Sequence, residues 1–237
     1  MFCAETLQYF SENLRKLGVG ISGLELWSGH LDPLKASDDE LKAWHKRFLD
    51  AGIKVTAYNV SPEDDWTDDQ IDRGFQAAKL LGTNVITSSV TKKIVPRLDK
   101  ACQKHKMKLG LHNHWFVPRD PNQFETPEDF LDTLKSSSKW ININLDVGHF
   151  YAAGFDPLKF FEENHARVVG LHLKDRGSDP KHVDHAFREG ATPIVPVMQA
   201  AKRLKFKYAA VIEWEVEGSD PVKGCAEALA YLKKALA

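Results

Sequence analysis

Four segments of the chain read as strands, and each closes on a side chain able to bind a metal: His112 in KLGLHNHW, Asp146 in INLDVGH, His172 in VGLHLKD and Glu213 in AVIEWE. Successive side chains of a strand point to opposite faces, and a parallel strand inside a barrel buries both. Parity therefore sets Val168, Gly170, His172 and Lys174 against Val169, Leu171 and Leu173. The same division sets Gly110, His112 and His114 against Leu109 and Leu111, and Asn142, Asn144 and Asp146 against Ile143, Leu145 and Val147. It holds more loosely for Val211, Glu213 and Glu215 against Ala210, Ile212 and Trp214. The apolar faces suit a covering layer of helices and the polar faces suit a barrel interior. All four side chains fall late in their strands, where barrel enzymes carry their chemistry. Four convergent ligands predict one buried divalent cation and an enzyme.

Helix and strand signals alternate with short connections, the pattern of a parallel sheet covered by helices. At 237 residues, with no linker or low-complexity stretch, the chain is expected to be one domain over 1–237; about 250 residues is the usual size of a single barrel of this kind. Strands are predicted at 22–27, 53–60, 84–89, 108–114, 141–147, 168–174 and 208–215. Gly18, Gly52 and Gly82 each follow an apolar helical pattern and end it in the left-handed conformation. Ser37 with Glu40 and Thr67 with Gln70 read as capping boxes, while Thr126-Pro127, Asp156-Pro157 and Asp220-Pro221 read as a cap followed by proline. The chain opens on a helical face of Leu7, Phe10, Leu14 and Leu17, so the first strand of an eight-stranded barrel is expected before Met1.

A formal net charge of -1 leaves no excess of Lys and Arg for a phosphate backbone, which argues against a nucleic-acid partner. Cys3, Cys102 and Cys225 are odd in number and far apart, so reduced, buried thiols are expected. No run approaches the roughly 20 apolar residues of a membrane span and no signal-peptide pattern opens the chain, which predicts a cytoplasmic protein. The basic stretch from Lys92 to Lys108 and the acidic EDDWTDD at 63–69 read as a solvated helix face and a capped helix start.

LDVGHFYAAGFDP, followed by RVVGLHLKDR, preceded by LGLHNHW and closed by AAVIEWE, resembles the xylose isomerase-like sugar phosphate isomerase/epimerase family over nearly the whole chain. The resemblance implies an α/β fold of the TIM (β/α)8 type with a divalent metal at its mouth, acting on ketoses or related sugars. It places metal ligands at Asp146, His172 and Glu213. The remaining ligand position, usually a glutamate in the proton-transferring epimerases, falls on His112 in a His-Asn-His segment. A symmetric scheme with two metal-bound glutamates as acid and base therefore lacks one of its two carboxylates here.

Two imidazoles and two carboxylates suit manganese first, then zinc, cobalt, iron or magnesium. Such a cation binds vicinal carbonyl and hydroxyl oxygens of a small carbohydrate, acidifies the adjacent C–H and stabilises the enediolate left by proton removal. Glu213 is the expected base, unless His114 or Lys174 carries the proton instead. Trp27 and His30 at the rim, Asn113, His149 and Arg188 beside Glu189 are expected to meet substrate; His149 also reads as an orienting partner of the ligands. Asp175 and Arg176 read as a solvated ion pair. The plainer reading of the four ligands is that they cap strands and bond within the barrel.

The expected activity is thus a metal-dependent sugar isomerase or epimerase on an unphosphorylated or small carbohydrate, since no phosphate-cradling glycine loop is visible. A lyase or hydratase on an oxidised sugar such as a 3-keto-glycoside begins with the same proton removal and is the first rival. Endonuclease-like hydrolysis at two or three metals and a non-catalytic carbohydrate-binding barrel are weaker rivals. Helix faces do not set the oligomeric state.

Overall fold

The computed structural model describes residues 22–177 and 183–237. The helical face of Leu7, Phe10, Leu14 and Leu17, the Gly18 helix end and Cys3 lie outside the described residues. Strands β1 (Gly23–Trp27), β2 (Lys54–Asn59), β3 (Val85–Ser88), β4 (Lys108–His112), β5 (Ile141–Asp146), β6 (Val168–Leu173) and β9 (Ala210–Ile212) pair in that order, all parallel. They make a nearly closed barrel of seven strands, at the seven predicted places, and no ladder joins β1 to β9 among the described residues. Two short strands, β7 (Asp175–Arg176) and β8 (Asp184–His185), form a separate antiparallel hairpin after β6.

Helices α1 (Asp38–Asp50), α2 (Asp68–Leu80), α3 (Val95–His105), α4 (Pro127–Ser136), α5 (Val147–Ala152), α6 (Pro157–Asn164), α7 (Ile194–Arg203) and α8 (Pro221–Leu236) fill the connections. Their starts follow the sequence signals. The Thr67 hydroxyl accepts from Gln70 N–H while the Gln70 side chain accepts from Thr67 N–H, and Thr126 makes the same reciprocal pair with Asp129. Asp156 and Asp220 each accept from two backbone N–H groups of the turn they open. Caps of this kind stabilise by about 1 kcal/mol each. Gly52 and Gly82 have φ of +73° and +83°, as a helix end leading into a strand requires.

The apolar strand faces do meet the helices. Leu109, Leu111, Ile143, Leu145, Leu171 and Leu173 are at most 1% exposed and belong to the main core, with Phe75, Leu98, Phe130 and Phe161 on the helices. Each such side chain contributes roughly 1.5–3 kcal/mol of burial. Cys102 and Cys225 are free and buried as expected. Lys92, Lys93, Arg97 and Lys104 face acids on neighbouring elements, with Lys92 2.6 Å from Asp129 and Arg97 2.6 Å from Asp68.

In the four strands whose faces parity set, it fails at one place. The β5–β6 register slips between Ile143 and Asn144, so Ile143 pairs with Val168 but Asn144 with Gly170. The extra residue, Val169, turns inward to pack with Ala57 and Val85, while Val168 joins the helix-facing core. A bulge opposes two residues to one and so inverts the alternation behind it. From Gly170 onward the predicted parity resumes.

No helix of the described residues is long and apolar enough to cross a membrane.

Candidate metal centre

The carboxyl ends of β4, β5, β6 and β9 carry His112, Asp146, His172 and Glu213, and one ligand atom from each lies within 4.8 Å of the other three. Glu213 falls just past β9, which ends at Ile212 rather than running to 215. Its N–H donates to Leu173 O at 3.1 Å, so it still holds its place beside β6.

Asp146 shows why Asp-Val-Gly-His has its spacing. It is the N-cap of α5, and its Oδ1 accepts from His149 N–H at 2.7 Å. That use satisfies one oxygen only. The other, Oδ2, is buried with no hydrogen-bond partner, and burial pushes the carboxyl's pKa up to about 7. An orphaned buried carboxylate oxygen among three other ligand atoms fits a cation, because a bound cation would satisfy it.

Burial disfavours charge on His172, but carboxylates on both sides outweigh it and raise its pKa well above the ordinary value. Its Nδ1 is 2.8 Å from Glu213 Oε2 and its Nε2 is 3.1 Å from Glu25 Oε1. Burial also pushes Glu213 up, yet the His172 bond and the charges of His172 and Lys174 hold it well below the usual carboxylate range. Burial, reinforced by the other imidazoles, keeps His112 neutral, the state that binds metal.

Lys174 is 1% exposed, and its Nζ lies 3.2 Å from Glu213 Oε1, 2.6 Å from Glu215 Oε2 and 3.3 Å from His149 Nε2. Burial lowers its pKa, but Asp146, Glu213 and Glu215 raise it further. It is an ammonium donor, and the expectation that it shuttles a proton as a base does not suit that charge. His112, His114 and His149 also converge within 4.8 Å. His149 has no lone pair to spare there, since its Nδ1 accepts from Trp115 N–H at 3.2 Å and its Nε2 faces Lys174. A second cation on these three rings is disfavoured by that engagement and by the adjacent ammonium.

The remaining predicted residues divide. His114 is half-buried with its ring 4.6 Å from that of His112 and 5.0 Å from that of His149. Trp27 ends β1, 49% exposed, edge-on to His30, whose Nδ1 accepts from Trp27 N–H. Asn113 is fully buried, and its amide is spent on the backbone of Asp146, accepting from N–H at 2.9 Å and donating to C=O at 3.0 Å. It clamps two strand ends. The Arg188 guanidinium lies over the Tyr231 ring of α8 at 5.5 Å. Asp175 and Arg176 are not solvated: Asp175 accepts from the N–H groups of Arg188, Gly190 and Thr192, and Arg176 pairs with Asp184 at 3.3 Å.

Glu25 escaped the sequence reading. It stands in GLELW on the same face as Trp27, and a charged residue amid an apolar strand was the available signal. Thr87 supports it from β3 with a 2.5 Å hydrogen bond to Oε1.

Residues 11–235 match the family described as xylose isomerase-like TIM barrel. The chain belongs to that family. Among solved structures, L-ribulose 3-epimerase superposes with a TM-score of 0.80 at 15% identity, covering 100% of this chain and 90% of that one. The probable 3-DHS dehydratase AsbF from Bacillus anthracis gives 0.76 at 18% identity, covering 95% and 93%. The 3-keto-D-glucoside 4-epimerase YcjR from E. coli gives 0.73 at 13% identity, covering 95% and 94%. At these identities the likeness is one of fold. No curated protein matches the chain.

Proposed function

We propose that the protein is a metal-dependent sugar isomerase or epimerase acting on a small, unphosphorylated carbohydrate. The observation that carries this reading is the convergence of His112, Asp146, His172 and Glu213 from four strand ends, with Asp146 Oδ2 buried and unpaired. Held by these four, a divalent cation, manganese before zinc, cobalt, iron or magnesium, supplies Lewis-acid polarisation of a carbonyl and its neighbouring hydroxyl.

The chain's own residues take the other roles. Glu213, kept ionised by His172 and Lys174, is a poor proton acceptor and serves as a ligand, which moves the base away from the position that the sequence favours. His114 is held neutral by burial and stands at the edge of the cluster, so it takes the proton from the C–H beside the carbonyl. The Lys174 ammonium offsets negative charge developing on the substrate oxygen. Trp27, exposed at the rim, offers a ring face for a sugar.

Histidine at position 112, where the two-base epimerases carry glutamate, favours a second reading. A single base removes the proton and a group leaves from the β carbon, as in a lyase acting on a 3-keto-glycoside. A substrate screen in D2O separates the two. Isomerisation or epimerisation incorporates solvent deuterium at the carbon next to the carbonyl and keeps the mass otherwise unchanged, whereas elimination releases an aglycone. Metal content by plasma mass spectrometry tests the premise: about one metal per chain is expected, and it is lost in His112→Ala, Asp146→Ala, His172→Ala and Glu213→Ala. A folded protein that stays empty when manganese, zinc or cobalt is supplied refutes the proposal.

A further inference from the structure

We infer that Glu25 is a positioning residue that fixes the proton placement of both imidazole ligands, His172 directly and His112 through Asn144. The inference rests on the four-ligand reading above. Glu25 sits on β1, four strands away from β5, and its side chain is 8% exposed. A buried carboxylate that carries no cap and no strand bond needs a partner. Its Oε1 has two: the Thr87 hydroxyl, which donates at 2.5 Å, and His172 Nε2 at 3.1 Å.

A carboxylate only accepts, so Glu25 and Glu213 each call for hydrogen on the nitrogen they face; with Glu213 drawn to a cation, the proton of the neutral ring stays on Nε2, toward Glu25. Nδ1, the nitrogen next to Glu213, is then the lone pair presented to the cation. This is the arrangement in which a ligating imidazole gives its other N–H to a carboxylate, which fixes ring and tautomer together.

The consequence passes to the second imidazole. The Asn144 amide lies 3.1 Å from His172 Nε2 and 3.1 Å from His112 Nδ1. As placed, the amide nitrogen faces both rings and its Oδ1 has no partner. Since Nε2 of His172 carries a proton for Glu25, a donor amide nitrogen beside it is mismatched. A half-turn of the amide brings the oxygen there, and amide orientation follows from the network around it. That oxygen accepts from His172 Nε2–H and from His112 Nδ1–H, which leaves the Nε2 lone pair of His112 for the cation.

The space around the amide is made for this use. A Cβ on Gly170 would stand 2.4 Å from Asn144 Oδ1, and one on Gly110 would stand 2.9 Å from Asn144 Cβ. The strands on both sides of β5 thus carry glycine where the amide lies. Glu25, Thr87 and Asn144 form a polar layer beneath the ligands, and one carboxylate at its edge settles which nitrogen each histidine offers.

Two measurements test this on the full chain: manganese affinity, read by the EPR signal of free Mn(II), and the imidazole nitrogens of the zinc-loaded, 15N-histidine-labelled protein by long-range proton–nitrogen NMR. The expected wild-type spectrum has His172 bound through Nδ1 with hydrogen on Nε2, and His112 bound through Nε2 with hydrogen on Nδ1. Glu25→Ala is expected to lose about 10- to 100-fold in affinity and the single tautomer at both rings. Glu25→Gln keeps an uncharged acceptor, so it should fold, retain the His172 tautomer and fall between. The opposite tautomers in wild type overturn the inference, as does a Glu25→Ala protein with affinity within twofold of wild type and an unchanged spectrum. A wild type that takes up neither metal overturns the four-ligand reading as well, which separates the two failures.

Discussion

Gly148→Ala tests whether the Asp-Val-Gly-His segment is built for close approach. A Cβ at Gly148 would lie 2.5 Å from Lys174 O and 3.0 Å from Lys174 Cβ. An ordinary carbon–oxygen contact is about 3.3 Å, so about 0.8 Å must be absorbed, and backbone stands on both sides. Overpacking of this sort costs about 1–3 kcal/mol. The better helix propensity of alanine returns about 1 kcal/mol, since Gly148 lies in α5. The net loss is about 0–2 kcal/mol, or up to about 8 °C in Tm for a chain of this size. The displacement falls between Asp146 and His149 on one side and Lys174 on the other, so manganese affinity should also drop about tenfold. Calorimetry with and without manganese reads both effects. Gly52→Ala is the control: its φ of +73° makes alanine strained there, yet nothing lies within 4 Å and the site is at the other strand ends. It should lower Tm by a comparable amount and leave metal affinity alone. A Gly148→Ala protein with wild-type Tm and wild-type affinity would refute the packing argument, and equal affinity losses in both variants would refute its locality.

Asp146→Asn should stabilise the metal-free protein while ending metal uptake. The folded carboxyl has its pKa raised to about 7, so its ionisation cost is absent below the unfolded value of about 4 and fully present above pH 7. The gain is on the order of 4 kcal/mol at pH 8, seen as a higher urea midpoint; no gain would mean the buried carboxylate is already compensated. Asp129 has the opposite sign. Burial works against its ionisation, but Lys92, Arg119 and the N–H groups of Glu125 and Thr126 bring its pKa down to about 2. Its stabilisation is present above about pH 4 and lost as pH falls through about 2, so the stability gap between wild type and Asp129→Asn, about 1.5 kcal/mol after solvent screening, should close over that window in acid titrations of the urea midpoint. Manganese at about 100 times its Kd should raise wild-type stability by about 2.7 kcal/mol and leave Glu213→Ala unmoved in thermal melts; an equal rise in both would place the metal elsewhere.

The strands and helix ends were legible because each rests on a local rule. Alternation marks a pleated strand, Thr67 with Gln70 marks a helix start, and Gly52 with Gly82 mark two ends. Parity placed His112, Asp146, His172 and Glu213 at one end of the sheet for the same reason, and it failed where the rule stops being local. The slip that turns Val169 inward depends on which residue of β5 faces it, a pairing that no single segment specifies. Asn113 and Asp146 show a second limit. Parity gave their faces, but the side chain of Asn113 bonds the backbone of the next strand, and one oxygen of Asp146 serves a helix start before any metal is considered. Glu25 lies beyond both limits, since it is 147 positions before His172 in sequence and 3.1 Å from it in space. A ligand is recognised by its place at a strand end, whereas the residue that orients it is recognised only by what it touches. Site prediction in a barrel of this family therefore reaches the ligands first. The buried charges one layer beneath them, which decide how those ligands bind, need the closed sheet.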